Sequence, residues 1–514
     1  MEALSIVWII SFEFSGIASL GGLGEAVKSK ALVLAKRGFN VTVLMPAHGR
    51  CYMYKDINFR ECSFRIGLDG LHYRYCIGAC EVYVDNVRLV LFRGLDDYTS
   101  SILDSWHIYS NTPEKASLLA RAVRGYIRWS NTLPDIIDVN DWHSVLAGVA
   151  VKQEGELRGY AIPLVYTIHL SGSPSFPWHY ASSEWSGLGD YIHPVWRVYK
   201  HSFESYKSVW DSVYGNIEAF GVHEADVVAT VSWSYLREEL ARRHGDWITG
   251  KSCVTYNTTD VRVEHVDSWI NKEFGGIWEG LEWRLIEEKL RGLEGWGYIE
   301  PNGILVVSLG RLTWQKGFDI AIKALDHAPE VKLLILGIPV GDIDYENYIK
   351  NLVYEKWSRV KVITGKIDPI IRLALMRLSK TTIIPSRWEP FGMTAVESIA
   401  LGTPVVASNT GGLKEIVVDL RWSNKGTGIL VKPEDHVDLG LAMRSLAIIM
   451  TGKGYHNIPL EEIRRIAYTI KPDSIRENCI RRVEETFREE PIYKMIIDCY
   501  NKARQMAHYR AVTI

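Results

Sequence analysis

At 514 residues the chain exceeds what a single hydrophobic core serves, which predicts two domains. Its 47% hydrophobic and 23% charged residues are the composition of an ordinary soluble globular protein, and a formal net charge of −2 gives no basis for nucleic acid or an anionic membrane as partner. No apolar stretch approaches the roughly eighteen residues that span a bilayer, and the N-terminus lacks the basic region of a signal peptide, so the expected location is cytoplasmic.

Leu4–Ile10 is predicted as a first buried strand, followed by a glycine-rich loop to Gly24 and a helix over Glu25–Lys36. The glycines do not fall as GxGxxG, so Gly21 and Gly22 are read either as a close-approach loop for a phosphate or sugar or as a plain turn. Val41–Pro46 is the next strand, and the alternating runs between 59 and 95 predict hairpins appended to a parallel sheet. Cysteines at 51, 62, 76, 80, 253, 479 and 499 show no CxxC spacing, which argues against zinc, while the four from Cys51 to Cys80 lie within reach of a local disulfide. Only three glutamines occur, and such depletion of thermolabile amides points to a hyperthermophilic source.

Helices at about 113–130 and 143–152 bracket the strand Ile136–Val139, which ends in Asn140-Asp141-Trp142-His143. Leu164–Ile168 is a further strand ending in His169. Polar residues at the carboxyl ends of consecutive strands mark a cleft. The segment Phe176–Tyr214 crowds eleven aromatic residues, read either as a sugar-stacking platform or as a helical hairpin packing its own rings. Asp226–Val231 is a strand and Ser232 caps a helix to about Arg243.

Gly303–Ser308 opens a second strand series, continued at Val331–Leu336, Val360–Ile363 and Thr381–Ile384. The loop after the first of these carries Arg311 and Lys316 between Gly310 and Gly317, two cations placed to converge on one diphosphate. After Ile384 the stretch Pro385–Leu413 holds Arg387 and Glu389 in a loop, Glu397 on a helix from Met393 to Leu401, and a strand at Pro404–Ala407. Thr410-Gly411-Gly412 then opens a helix at Leu413, a turn whose backbone N–H groups suit a phosphate. Two carboxylates and a Gly-rich anion turn in adjacent strand-to-helix units predict a nucleotide-sugar site. Cations and backbone donors without an acidic cluster predict metal-free neutralisation of a leaving pyrophosphate.

Six motifs together, SLGGLGEAV, DVNDWH and TIHL in the first half and SLGRLTWQKG, SRWEPFGMTAVE and NTGGL in the second, resemble the retaining glycosyltransferases of the GT-B architecture, in particular the glycogen and starch synthases. The resemblance covers nearly the whole chain. It implies an α/β fold with two Rossmann-like, doubly wound domains facing a cleft. Residues 1–263 are then an acceptor-side domain with an aromatic insertion at about 170–215, and 264–300 an interdomain crossover. Residues 301–473 form a nucleotide-sugar domain, and 474–514 helices returning towards the first.

The implied reaction moves glucose from ADP- or UDP-glucose to the non-reducing end of an α-1,4-glucan with retention of configuration, without metal or cofactor. By position, Arg311 and Lys316 match the cations on the donor diphosphate, Glu389 the donor-sugar glutamate, and Glu397 the residue that holds the ribose. Thr410, Gly411, Gly412 and Leu413 match the phosphate and sugar loop, with Gly21 and Gly22 on the donor side. His169 matches a histidine whose carbonyl supports the transition state, and Asp141 an aspartate near the acceptor. In two places the chain departs from the pattern: Ser19 stands where bacterial synthases have lysine, and Leu170 where asparagine follows the histidine. The stretch GMTAVESIALGTPVV is nearer to the broader family of sucrose-phosphate and trehalose synthases. A small or lipid acceptor, a sugar-nucleotide epimerase and a catalytically silent glycan-binding protein are the alternatives.

Overall fold

The structure, a computed structural model, describes residues 6–66, 71–172, 174–198, 200–276 and 278–512, so positions 4 and 5 of the expected first strand lie outside the described residues. The chain divides into two compact units. One comprises the residues up to Val231, Leu236–Thr258 and the chain from Ile492; the other comprises Ser232–Tyr235 and Thr259–Pro491.

In the first unit the strands are β1 (Ile6–Ile10), β2 (Asn40–Pro46), β3 (Lys55–Ile66), β4 (His72–Val84), β5 (Val87–Gly94), β6 (Ile136–Asn140), β7 (Leu164–Ile168), β8 (Ile192–Arg197), β9 (Lys200–Ser205), β10 (Val227–Thr230) and β11 (Ser252–Val254). Nine of them form one sheet in the order β11-β10-β7-β6-β1-β2-β5-β4-β3. The sheet is parallel from β11 to β5, with β4 and β3 added as antiparallel hairpins. β6 and β7 are buried at every position, as continuous apolar runs in a sheet covered on both faces must be. The order reverses between β6 and β1, and a crevice outside the carboxyl ends of the strands at such a switch point is where open α/β sheets bind ligands.

The aromatic segment is not a helical hairpin. It holds a 3-10 turn at Trp178–Tyr180, the β8–β9 hairpin and a short α-helix, Tyr206–Ser212. Branched Ile192 and Val195 favour extended backbone in β8, and Pro194 excludes a helix interior there. The fully buried rings pack internally: Tyr206 stacks on His193 at 3.6 Å, and Trp210 meets Trp178 and Phe220. The helix expected from Ser232 to Arg243 is present as one run, Trp233–His244, with a π-helical turn at Leu236–Leu240 inside it, and Ser232 Oγ caps it by accepting from Tyr235 N at 3.1 Å.

The second unit contains β12 (Gly295–Ile299), β13 (Ile304–Arg311), β14 (Val331–Ile338), β15 (Arg359–Ile363), β16 (Thr382–Ile384), β17 (Val405–Ser408) and β18 (Gly428–Val431). They form one sheet in the order β12-β15-β14-β13-β16-β17-β18, parallel except for the antiparallel edge β12. Its switch point lies between β13 and β16. The helices Val263–Phe274 and Leu281–Lys289, within the expected crossover, bury Ile270, Phe274 and Leu285 against Leu305, Leu334 and Leu375 of this unit. Pro491 does not interrupt a helix: it occupies the first turn of Glu489–Val512, where a missing N–H leaves no bond unmade.

Candidate active site

In the second unit the two loops at the switch point are laced together. Arg387 N donates to Gln315 O at 2.8 Å and Gln315 Nε2 to Trp388 O at 3.1 Å. Gly317, at φ +65°, makes that approach possible, since a Cβ there would lie 2.2 Å from Pro385 O. The consequence is that Lys316 Nζ reaches Glu389 Oε2 at 2.6 Å, and Ser386 Oγ donates to the same oxygen at 3.1 Å. Neither side chain of this pair is more than 18% exposed. Arg387 is a strut: its guanidinium bonds both oxygens of Asp319, reaches Glu434 through Nε and lies 3.3 Å over the Trp314 ring. Arg311 is exposed at the end of β13 and forms no ion pair among the described residues.

The Thr410-Gly411-Gly412 turn is seated directly on the backbone of the Glu389 loop. Gly412 N donates to Glu389 O at 3.0 Å. A Cβ on Gly411, at φ +47°, would lie 1.9 Å from Glu389 O, and one on Gly412 would lie 2.4 Å from Phe391 O. These glycines therefore fix where Glu389 stands. The N–H groups of Gly411 and Leu413 have no protein acceptor among the described residues. Because the helix that follows, Leu413–Ile416, is only one turn, attraction for an anion there comes from individual N–H groups and not from a macrodipole. Glu397, on the helix Met393–Ala400, accepts from Arg372 Nη1 and Nη2 at 2.6 and 3.2 Å. Arg372 was not singled out in the sequence: a cation on an amphipathic helix carries no local signal.

In the first unit Asp141, buried at the end of β6 with φ +57°, accepts from His169 N at 2.7 Å and Leu170 N at 3.2 Å. Burial pushes its pKa up to about 7, and Glu218 and Glu13 add to the rise against the two N–H bonds. Asn140 Nδ2 donates to Asp138, which leaves its Oδ1 to accept from His169 Nε2–H at 2.9 Å. Burial, with Lys30 and His143 nearby, pushes the His169 imidazole down to about 3, so it is neutral at pH 7. Beneath it Asp138 is saturated by Lys30 at 2.9 Å, Thr167 Oγ1 at 2.8 Å and Tyr500 OH at 2.9 Å.

The glycine loop after β1 is wrapped around a carboxylate that the sequence did not flag. Buried Glu13 accepts through Oε2 from Leu20 N at 2.8 Å, Ser19 Oγ at 3.0 Å and Gly21 N at 3.3 Å, and through Oε1 from Tyr109 OH. Part of this loop's donor set is thus committed to a resident anion. Gly21 and Gly22 have open space where a Cβ would stand and no left-handed φ, so the fold does not demand glycine at either position.

Two descriptions of known families match the chain in turn: the starch synthase catalytic domain over residues 6–250 and glycosyl transferases group 1 over residues 298–448. The chain is 26% identical to the glycogen synthase of Petrotoga mobilis over 518 residues, spanning 96% of this chain and 98% of that one. It is 22% identical to the glycogen synthase of Clostridioides difficile, spanning 94% and 99%. This protein is a GT-B glycosyltransferase similar to the glycogen and starch synthases. Its fold agrees with the catalytic domain of starch synthase IV from Arabidopsis thaliana, solved with ADP and acarbose, at a TM-score of 0.66, 18% identity and coverage of 94% and 100%. Sucrose-phosphate synthase from Thermosynechococcus elongatus shares the fold at a TM-score of 0.57 and 18% identity. In this glycosyltransferase the strand-end residues read from the sequence fall at the two switch points: Arg311, Lys316 and Glu389 at β13 and β16, Asp141 beside β6 and His169 after the adjacent β7.

Proposed function

We propose that this glucosyltransferase transfers glucose from ADP- or UDP-glucose to the non-reducing end of an α-1,4-glucan, with retention of configuration. The observation that carries the reading is the Lys316–Glu389 pair, held 2.6 Å apart at a switch point by the Gly411-Gly412 turn. Lys316 and Arg311 offset the charge that grows on the departing diphosphate, and the N–H groups of Gly411 and Leu413 take phosphate oxygens. Glu389 accepts from the glucosyl hydroxyls. Glu397, oriented by Arg372, accepts from the ribose.

The first unit handles the acceptor in this reading. Asp141 takes up the two N–H groups of the His169 loop, which leaves the His169 carbonyl to face the oxocarbenium-like transition state. No group is assigned as a covalent nucleophile, so attack follows on the face the phosphate leaves. Cationic and N–H neutralisation of the diphosphate makes transfer independent of added divalent metal or cofactor, and the reaction is placed in the cytoplasm.

The test is a matrix of nucleotide-glucose donors against glucan, small-sugar and lipid acceptors, with and without chelator, followed by chain-length analysis of the products. Elongated glucan from one donor supports the reading. Transfer only to a small acceptor, or release of nucleoside diphosphate with no acceptor extended, overturns the glucan assignment.

A further inference from the structure

The loop leaving β7 runs His169-Leu170-Ser171-Gly172, and its polar groups are divided between two buried carboxylates. Asp141 takes the first two N–H groups. Glu218, on the helix Ile217–Glu224 and fully buried, takes two more groups: Ser171 Oγ donates to its Oε1 at 2.5 Å and Gly172 N to its Oε2 at 2.8 Å. His244 Nε2 lies 3.0 Å from the same Oε1 and completes the set.

Glu218 is not occupied in capping its own helix. That service comes from Asn216, whose Oδ1 accepts from Ala219 N at 2.9 Å. Nor is the loop held by other packing alone: Gly172 lies so near Trp142 that a Cβ would sit 2.7 Å from indole Nε1, which leaves the loop a narrow seat with Glu218 on its polar side. Leu170, where the family resemblance led to asparagine, is 40% exposed and its side chain gives the loop no anchor of that kind.

We propose that Glu218 is a positioning residue for transfer: by binding Ser171 and Gly172 it fixes the loop whose first residue, His169, faces the reacting sugar. The proposal rests on the glucosyltransferase reading of the site. Charge-assisted bonds to backbone N–H groups are short and directional, so the carboxylate sets where the peptide units stand as well as that they are paired. An amide in its place keeps one oxygen for Gly172 N and turns its NH2 group towards Ser171 Oγ, so the hydroxyl bond must reverse and both loop bonds lose the charge of the carboxylate without the pocket emptying.

The experiment uses the full chain with its best donor and glucan, and reads kcat, donor KM, nucleoside diphosphate affinity by calorimetry, and Tm. Glu218→Gln is expected to lower kcat at least about tenfold, and Ser171→Ala about threefold, with donor KM and nucleotide affinity within about twofold of wild type. Glu239→Gln, which alters the exposed pair with Arg243 on a different helix, serves as the control for loss of a surface carboxylate.

If both variants keep wild-type kcat, the proposal is overturned. A parallel fall in nucleotide affinity and Tm in Glu218→Gln, with Ser171→Ala unaffected, also overturns it, because that pattern belongs to a fold defect. If Glu218→Gln does not fold, Ser171→Ala decides alone, since its half-buried hydroxyl touches the same carboxylate from the loop side. A wild-type chain that transfers from no donor fails the underlying reading instead, and is told apart by that measurement.

Discussion

Removing the Lys316 ammonium isolates the effect on which the donor half of the site depends. Nζ stands 2.6 Å from Glu389 Oε2, in surroundings where both side chains are largely covered. At an effective dielectric of about 20, unit charges about 4 Å apart interact by about 4 kcal/mol, and the same ammonium facing a diphosphate oxygen falls in that range. Removing one preorganised donor from a developing oxyanion costs about 2.7–4 kcal/mol, or 10²–10³ in rate. Lys316→Ala is therefore expected to lower kcat/KM by about 10²–10³. The fold loses much less: Glu389 keeps Ser386 Oγ, so the cost is about 1–2 kcal/mol and the Tm falls by about 2–6 °C. The assay is steady-state release of nucleoside diphosphate with glucan in excess, beside a thermal melt. A Lys316→Ala enzyme within threefold of wild type in kcat/KM would refute the reasoning.

Gly411→Ala places a methyl 1.9 Å from Glu389 O at a left-handed φ, so transfer should fall more than about tenfold with a stability loss of about 1–3 kcal/mol. Gly22→Ala, with open space at Cβ, should leave the Tm unchanged or raised; a lowered Tm there would contradict the geometry. Acid should unfold the protein: burial holds His48, His143 and His169 down to about 3, so the stability present above pH 6.5 is lost as pH falls towards 3. His223, lowered to about 4 chiefly by burial, adds to this, while Asp141, raised to about 7, acts in the opposite sense over pH 4–7, leaving a net of about three protons and a slope of about 4 kcal/mol per pH unit; a Tm flat from pH 6.5 to 4.5 would contradict this. Disulfides join Cys51 to Cys80, Cys62 to Cys76 and Cys253 to Cys499, with Cys479 buried and free. Denatured, unreduced protein should titrate one thiol of seven, and reductant should lower the Tm, with the 246-residue span contributing more than the roughly 4.7 kcal/mol of a 100-residue loop. Seven free thiols would sink that expectation.

The parallel sheets were legible because their strands are buried on both faces and read as unbroken apolar runs: Leu164–Ile168 has the same bounds in the sequence and the structure. Lys316 and Glu389 were legible as pieces, since each follows a strand of that kind, but their contact depends on Gly317 and on Arg387 lacing the two loops, which no local spacing encodes. Arg372 and Glu218 stayed hidden for a common reason: each is a charged residue on a short helix, and only the partner reached in space separates it from a solvated surface charge. The aromatic run misled because ring content says nothing of period. In β8 branched Ile192 and Val195 suit a strand and Pro194 opposes a helix interior, and the buried rings were taken up by packing.

The two switch points are chemically unlike, and the difference bears on Ser19. In the second unit the loops offer cations at Arg311 and Lys316 and backbone N–H groups at Gly411 and Leu413 with no acceptor among the described residues. In the first, backbone donors of the corresponding loops are taken by resident carboxylates: Leu20 and Gly21 by Glu13, His169 and Leu170 by Asp141, Gly172 by Glu218. A phosphate brought to those loops would meet N–H groups already bonded to the buried carboxyl groups of Glu13, Asp141 and Glu218, whereas a hydroxyl finds acceptors already oriented. Serine at position 19 fits that arrangement: its hydroxyl donates to Glu13 without adding a positive charge, and Leu20, Gly21 and Tyr109 complete the carboxylate's donors. Glu13 is thus satisfied with serine at position 19, and in the proposed reading recognition of the donor's phosphates falls to the residues between Arg311 and Leu413.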